Sequence, residues 1–267
     1  MSNKIFSTAD AAVTSLSTAN HFGTPVEVES GSILQFRAHN SSQAFFTTYT
    51  VNTTTGALGA DTSTLVSGVT TGNTKGIVLT KSEMFDTDHM LTAFQDATSG
   101  NINVIISEWD TATHAVVGHT VTDLGITGGG VSVNFHKIDA THYLLSYDSG
   151  TDLIQQVIEI NAGTYAVSTV GTPLVTGTTN QAPQSHVVQI DSTRYSVSYT
   201  KKSPGTSGQF MIVEVNLSTW DVTIATATTS LGGITTGAYM TTYYIDAVTW
   251  TFKVSASKCV VFYISGT

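Results

Sequence analysis

Gln189-Ile190-Asp191-Ser192-Thr193-Arg194-Tyr195-Ser196-Val197-Ser198-Tyr199 restates, nearly position for position, the earlier Lys137-Ile138-Asp139-Ala140-Thr141-His142-Tyr143-Leu144-Leu145-Ser146-Tyr147. Each stretch holds a turn-forming Asp, a basic residue and then a five-residue strand with an aromatic at either end. The strand phrase can be followed along the chain as Phe45–Tyr49, Met90–Phe94, Tyr143–Tyr147, Tyr195–Tyr199 and Cys259–Tyr263. Its copies end at 49, 94, 147, 199 and 263, so the spacings are 45, 53, 52 and 64 residues. Such a period fits a repeating unit of four short antiparallel strands. Four residues before each phrase stand Ser41, Asp86, Asp139, Asp191 and Ser255. Asp and Ser side chains accept hydrogen bonds from backbone N–H groups just downstream, which stabilises a tight turn. A hairpin is therefore expected to enter each copy of the phrase.

A second signature alternates with the first. Gly68-Val69-Thr70-Thr71-Gly72, Gly125-Ile126-Thr127-Gly128-Gly129 and Gly233-Ile234-Thr235-Thr236-Gly237 read as crossings between units, with Gly177-Thr178-Thr179-Asn180 a looser copy. Within the third unit, Val131–Ile138, Tyr143–Tyr147, Leu153–Ile160 and Ala166–Val175 read as successive strands. The fourth unit offers Val187–Ile190, Tyr195–Tyr199, Phe210–Val215 and Val222–Thr228. All are short, rich in Val, Ile, Thr and Tyr, and bounded by Gly, Asn, Asp or Ser.

These features predict one all-β domain, a five-bladed β-propeller over residues 1–267. Its blades are expected at about 30–66, 76–122, 130–175, 184–230 and 239–267, the last completed by residues 4–29. The closure rests on Phe22-Gly23-Thr24-Pro25-Val26, which matches Val170-Gly171-Thr172-Pro173-Leu174 in the outer strand of the third unit. Closure of this kind removes exposed strand edges.

The quoted turn-and-strand phrases also resemble a repeat found in β-propeller-like proteins of bacteria, algae and phages, an Asp-Ser-Thr turn before an aromatic–Val–Val–x–Tyr strand. The match is sharpest in the third and fourth units, and the first and fifth replace the turn Asp by Ser41 and Ser255. The resemblance implies a propeller with an interaction role and assigns no catalytic residue.

Composition narrows the function classes. Apolar residues make up 40% of the 267, enough for a core, whereas charged residues are only 11%, well under the usual share of about 25%. Thr, Ser, Gly and Asn cover the surface instead. With a net charge of −9, 10 basic residues and no cluster beyond Lys201-Lys202, phosphate-backbone binding is not expected. Met1–Phe6 carries no apolar run suited to a signal peptide, and no later segment is apolar for long enough to insert in a membrane. The single Cys259 has no intrachain partner and reads as a small hydrophobe. A hydroxyl-rich surface without an export signal points to a virion component made in a host cytoplasm; an extracellular location is the alternative.

The candidate binding groups are basic. Immediately before the five phrases stand Ala44, His89, His142, Arg194 and Lys258, so four cationic residues share one place in the repeat and could receive an anionic ligand. Solvated turn residues would give the same pattern. Trp220, after Asn216-Leu217-Ser218-Thr219, is the aromatic placed to stack on a sugar if exposed. Trp109 and Trp250 could do the same, but core or rim packing is the expected role of all three.

Metal chemistry finds little support. His114 and His119 lie an odd number of residues apart on an expected strand and so face opposite ways. Asp148-Ser149-Gly150-Thr151-Asp152 is too short for a calcium loop and lacks its terminal glutamate. No cofactor is expected.

A glycoside hydrolase on a five-bladed frame is the alternative reading, and it needs two carboxylates at defined separation. The inner strands expected at Ile33–Arg37, Val131–Ile138 and Val187–Ile190 carry none, and the second blade offers Glu83 alone. The expectation is therefore a non-enzymatic binding or structural module, recognising a glycan or other virion structural proteins. A secreted lectin-like adhesin is a further alternative, and a homo-oligomer is compatible with the sequence.

Overall fold

The computed structural model describes residues 21–22, 26–39, 43–52, 54–55, 58–66, 81–96, 99–129, 133–176, 185–201, 207–230, 250–255 and 258–262. All regular structure among them is β, in five antiparallel sheets that follow one another along the chain. The first holds β1 (His21–Phe22), β2 (Val26–Glu29), β3 (Ser32–His39), β4 (Gln43–Val51) and β5 (Leu58–Val66). The second runs β6 (Ser82–Met84), β7 (His89–Gln95), β8 (Asn101–Asp110) and β9 (Ala115–Thr127). The third runs β10 (Val133–Lys137), β11 (His142–Asp148), β12 (Leu153–Ile160) and β13 (Val167–Thr176). The fourth runs β14 (Ser185–Gln189), β15 (Arg194–Lys201), β16 (Ser207–Val215) and β17 (Val222–Ser230). The fifth is the hairpin of β18 (Trp250–Ser255) and β19 (Lys258–Phe262).

Neighbouring sheets pack face to face in chain order. First strands lie beside one another, with β2 against β6, β10 against β14 and β14 against β18, while the outer strands β5, β9, β13 and β17 neighbour one another in chain order. The three interfaces among the first four sheets each enclose an apolar cluster. Leu34, Phe36 and Phe46 meet Met90, Phe94, Ile105 and Trp109 between the first two sheets. Leu91, Ile102 and Val104 meet Phe135, Tyr143 and Ile158 between the second and third. Leu144 and Val157 meet Tyr195, Val197, Met211 and Val213 between the third and fourth.

A strand sandwiched between two sheets buries both faces. That is why Ile102–Ser107 of β8 and Gln155–Ile158 of β12 are buried without alternation. Each fully buried Leu, Ile or Phe contributes about 1.5–3 kcal/mol to the collapsed state. In β16 the pattern differs. Met211, Val213 and Val215 are buried against the third sheet, while Phe210 and Ile212 on the opposite face remain partly exposed.

The first sheet is out of phase with its expected reading. Register relates the sheets directly: Met84 pairs with Met90, Lys137 with Tyr143, Gln189 with Tyr195 and Lys253 with Cys259. The matching pair in the first sheet is Glu27 with Ile33. The counterpart of the repeated phrase is therefore Ile33–Arg37 on β3, and Phe45–Tyr49 lies on the third strand, β4. A run of aromatics and Thr suits either strand, so the phrase by itself did not fix the phase. Ser32, not Ala44, is the counterpart of His89, His142 and Arg194, and β2, not Ile33–Arg37, is the first strand of its sheet.

The N-terminal assignment changes with it. Along β3, Arg37 and Ala38 pair with Phe22 and His21, and Ser32 to Leu34 pair with Glu29 to Val26. Since β4 pairs along the other edge of β3, residues 21–22 and 26–29 line one edge of the first sheet. They do not belong to the last sheet, so the expected closure by residues 4–29 fails for this part; residues 4–20 lie outside the described residues. Among the described residues no strand pairing joins the first sheet to the fifth.

Candidate functional site

The basic positions picked out by the repeat sit on turns built by the aspartates before them. Asp139 Oδ1 accepts the backbone N–H groups of Thr141 (2.9 Å) and His142 (2.8 Å), and the His142 Nδ1–H as well (2.9 Å). Asp86 repeats this with the N–H groups of Asp88 (2.9 Å) and His89 (2.8 Å) and with His89 Nδ1–H (2.8 Å). Asp191 accepts from the N–H groups of Thr193 and Arg194, while its other oxygen accepts from Arg194 Nε at 2.7 Å. A carboxylate accepts only, so each histidine carries its proton on Nδ1 and directs Nε2 away from the turn.

These bonds hold the carboxyls below the ordinary Asp range. For Asp86 and Asp139 partial burial acts in the opposite sense, but the backbone N–H groups and the histidine outweigh it. Asp191 falls to about 2, chiefly through the Arg194 guanidinium and then the Thr193 N–H. Across the strand each basic residue faces a glutamate: His89 opposite Glu108, His142 opposite Glu159, Arg194 opposite Glu214.

A second repeating element meets these turns from the next sheet. The hairpins between third and fourth strands begin with Asp110, Asn161 and Asn216, whose side chains accept N–H groups two residues downstream. Each ends on a residue in the left-handed region: His114 (φ 52), Tyr165 (φ 56) and Trp220 (φ 63). Glycine normally takes that place, because a β-carbon there costs about 1–2 kcal/mol. The larger side chains reach across the seam. Tyr165 stacks on His89, centroids 4.0 Å apart, and Trp220 stacks on His142 at 3.7 Å. His114 Nδ1 meets Glu29 of the first sheet at 2.5 Å. The strained backbone is thus compensated by an inter-sheet contact.

The five candidate residues therefore separate. His89 and His142 have side chains only 14% and 11% exposed, each between an aspartate and a ring, and Trp220 is the cover on His142, not a free platform. Arg194 stays 48% exposed beside Asp191. Lys258 opens β19, and its side chain lies outside the described residues. His89, His142, Arg194 and Lys258 open the second strands of successive sheets. His114 sits in a turn and His119 within β9, so they do not share the strand expected for them. Asp148–Asp152 is a hairpin closed on itself: Gly150 N–H donates to Asp148 Oδ1 and Asp152 N–H to Ser149 Oγ. Among the described residues no group of three His, Cys, Asp or Glu is placed to hold a metal.

Two lysines, Lys81 just before β6 and Lys137 at the end of β10, bridge the second and third sheets. Lys137 Nζ donates to the Phe85 carbonyl at 2.7 Å and lies over the Phe85 ring, and Lys81 Nζ donates back to the Phe135 carbonyl over the Phe135 ring. Two lysines thus cross the second seam in opposite directions. Lys81 also holds Glu83 at 3.1 Å. Re-phasing the first sheet places Glu27 and Glu29 on its first strand, beside β6 and Glu83, which corrects the expectation that this strand carries no carboxylate. Buried Tyr143 and Tyr195 occupy equivalent places on β11 and β15. Burial raises both phenols, Tyr195 to about 12, so both remain neutral, and Tyr195 Oη accepts from Gln189 Nε2 at 3.3 Å.

The seam residues Tyr165 and His114 were missed from sequence. The available signal was the recurring Asp/Asn-x-x-Thr ahead of each, at 110–113, 161–164 and 216–219, which marks the hairpin without revealing what its last residue touches. In comparisons with known proteins, no family model, no curated protein and no solved structure matches the chain.

Proposed function

We propose that this chain is a five-bladed β-propeller acting as a non-enzymatic binding or assembly module on the exterior of a phage-like virion, where it engages a glycan or a neighbouring structural protein. The observation that carries the reading is how the charged groups are used. Both described rim histidines, Arg194 and the inner lysines are committed to partners within or between sheets. What the outer strands offer to solvent is hydroxyl and apolar surface: Ser168, Thr169, Thr172 and Val175 on β13, and Thr223, Ile224, Ala225, Thr226 and Ala227 on β17. Such a surface hydrogen-bonds without a strong field, which suits neutral sugars or a polar protein face. A glycan array probed with the full-length chain, including host surface polysaccharides, tests it. Selective binding supports receptor recognition. No binding by the folded chain moves the reading to particle assembly, checked by affinity capture with purified particle proteins.

The glycosidase reading keeps one specific support, the neighbouring first strands that carry Glu27 and Glu83. Its chemistry needs one carboxyl as acid and the other as nucleophile or base. Turnover of a chromogenic glycoside panel that Glu83→Gln abolishes would replace the binding reading with an enzymatic one.

A further inference from the structure

We infer that the seam between the third and fourth sheets holds a hard cation, bound within an all-oxygen cluster of Ser146, Asp148, Gln155, Tyr199 and Gln209. Pairing and packing bring these side chains together. On β11 and β12, Leu144, Leu153 and Val157 pack towards the fourth sheet, and successive strand residues alternate between faces. Ser146 and Asp148 therefore share the face of Leu144, and Gln155 shares the face of Leu153 and Val157. Gln155 Nε2 donates to Ser146 Oγ at 2.7 Å on that face. From the other side, Tyr199 belongs to the apolar cluster of this seam, and Gln209 is its direct partner across the ladder. The most exposed of the five is Gln209, at 8%.

The repeat itself shows that packing does not require this polarity. Across the preceding seam, Ala93 and Val104 pair as Ser146 and Gln155 do, and Ile154 pairs with Tyr147 as Gln209 does with Tyr199. All three counterparts are apolar and pack into the cluster of that seam. Burying polar side chains where the repeat places apolar ones opposes stability, and such local departures point to function. The counterpart of Asp148 is Gln95, whose Nε2 donates to the Gly100 and Gly128 carbonyls. A carboxylate accepts only, so Asp148 cannot repeat that tie. Its Oδ1 accepts the Gly150 N–H at 2.6 Å, which fixes the side chain at the end of the seam.

The donor set selects the occupant. Gln155 Oε1 is buried and meets no donor among the described residues. A carboxylate, amide oxygens and hydroxyls are the ligands of a hard cation. The set contains no sulfur or imidazole, which disfavours zinc and copper. Groups enclosed to this degree admit a single ion and not a sugar ring, and a cation would balance the charge of a carboxylate only 2% exposed.

The test is binding of calcium, magnesium and potassium ions to the chelator-treated full-length chain, by calorimetry and by thermal melting at constant ionic strength. The expected result is saturable binding of calcium, with a melting midpoint that rises with its concentration. Both effects should be lost in Asp148→Asn and in Gln155→Val, which installs the residue of the matching rung. Gln155→Val should melt in chelator no lower than the parent, which separates loss of a ligand from loss of the fold; Gln209→Ile, the second variant matched to the repeat, gives the same readout. Saturable binding of magnesium or potassium in place of calcium, with the same losses, supports the site and changes the ion. No saturable binding of any of the three by the folded parent, binding retained by the variants, or an equal and unsaturable shift from all three salts would each overturn the inference.

Discussion

Trp220 lies nearly parallel to His142 across the seam between the third and fourth sheets, ring centroids 3.7 Å apart and planes 16° from parallel. The contact joins a strained hairpin end of one sheet to the aspartate-held turn of the sheet before it, and Tyr165 on His89 repeats it one sheet earlier.

Two substitutions at Trp220 should separate stacking from strain. Trp220→Ala removes the ring and keeps a β-carbon at φ 63, and should lower stability by about 2–3 kcal/mol. Trp220→Gly loses the same ring but relieves the left-handed backbone, and should be about 1 kcal/mol more stable than the Ala variant. Urea midpoints in that order support the account; Gly at or below Ala contradicts it.

The turn aspartates give a signed pH dependence. Their folded carboxyls titrate below the ordinary Asp range, Asp191 at about 2. Such groups contribute stability that is fully present above the unfolded pKa and is lost as pH falls through the folded one. Stability should therefore decline between pH 3.8 and about 2, and the gap between the parent chain and Asp191→Asn should narrow over that window. A gap that stays constant from neutral pH to pH 2 would contradict the assignment.

Gly129 threads a narrow gap, where its N–H donates to the Asp148 carbonyl. A β-carbon there would fall on the backbone of Gly150, while one on Gly128 would meet the ends of the Ile102 and Gln95 side chains. Side chains can shift and a hairpin backbone shifts less. Gly129→Ala should cost about 1–3 kcal/mol and exceed Gly128→Ala, with thermal midpoints as the readout.

Lys137→Met keeps the aliphatic stem over Phe85 and Tyr143 but leaves the Phe85 carbonyl without its donor. The expected loss is about 1 kcal/mol, with Lys137→Ala losing more because the stem goes too. Equal losses would mean that the hydrogen bond alone matters. Chemical denaturation of the two variants decides.

Local chemistry made much of the fold legible. Leu153–Ile160 was read to its observed ends because a β-rich run is bounded by turn formers, and Asp86, Asp139 and Asp191 were recognised as turn residues because an Asp side chain reaches N–H groups only two or three residues away. Phase in the first sheet was less legible, since Phe45–Tyr49 on β4 has the composition of a second strand and only pairing distinguishes them.

The sequence by itself determined an all-β chain of repeated antiparallel units and the local bonds that close their turns, because those depend on neighbours in the chain. Tertiary structure alone decided that residues 21–22 and 26–29 join the first sheet, that Trp220 covers His142, and that Lys137 reaches Phe85. Each of these is set by which face of one sheet meets the next. Side-chain contact across a seam depends on register and packing angle, and residues far apart in sequence carry no local mark of it.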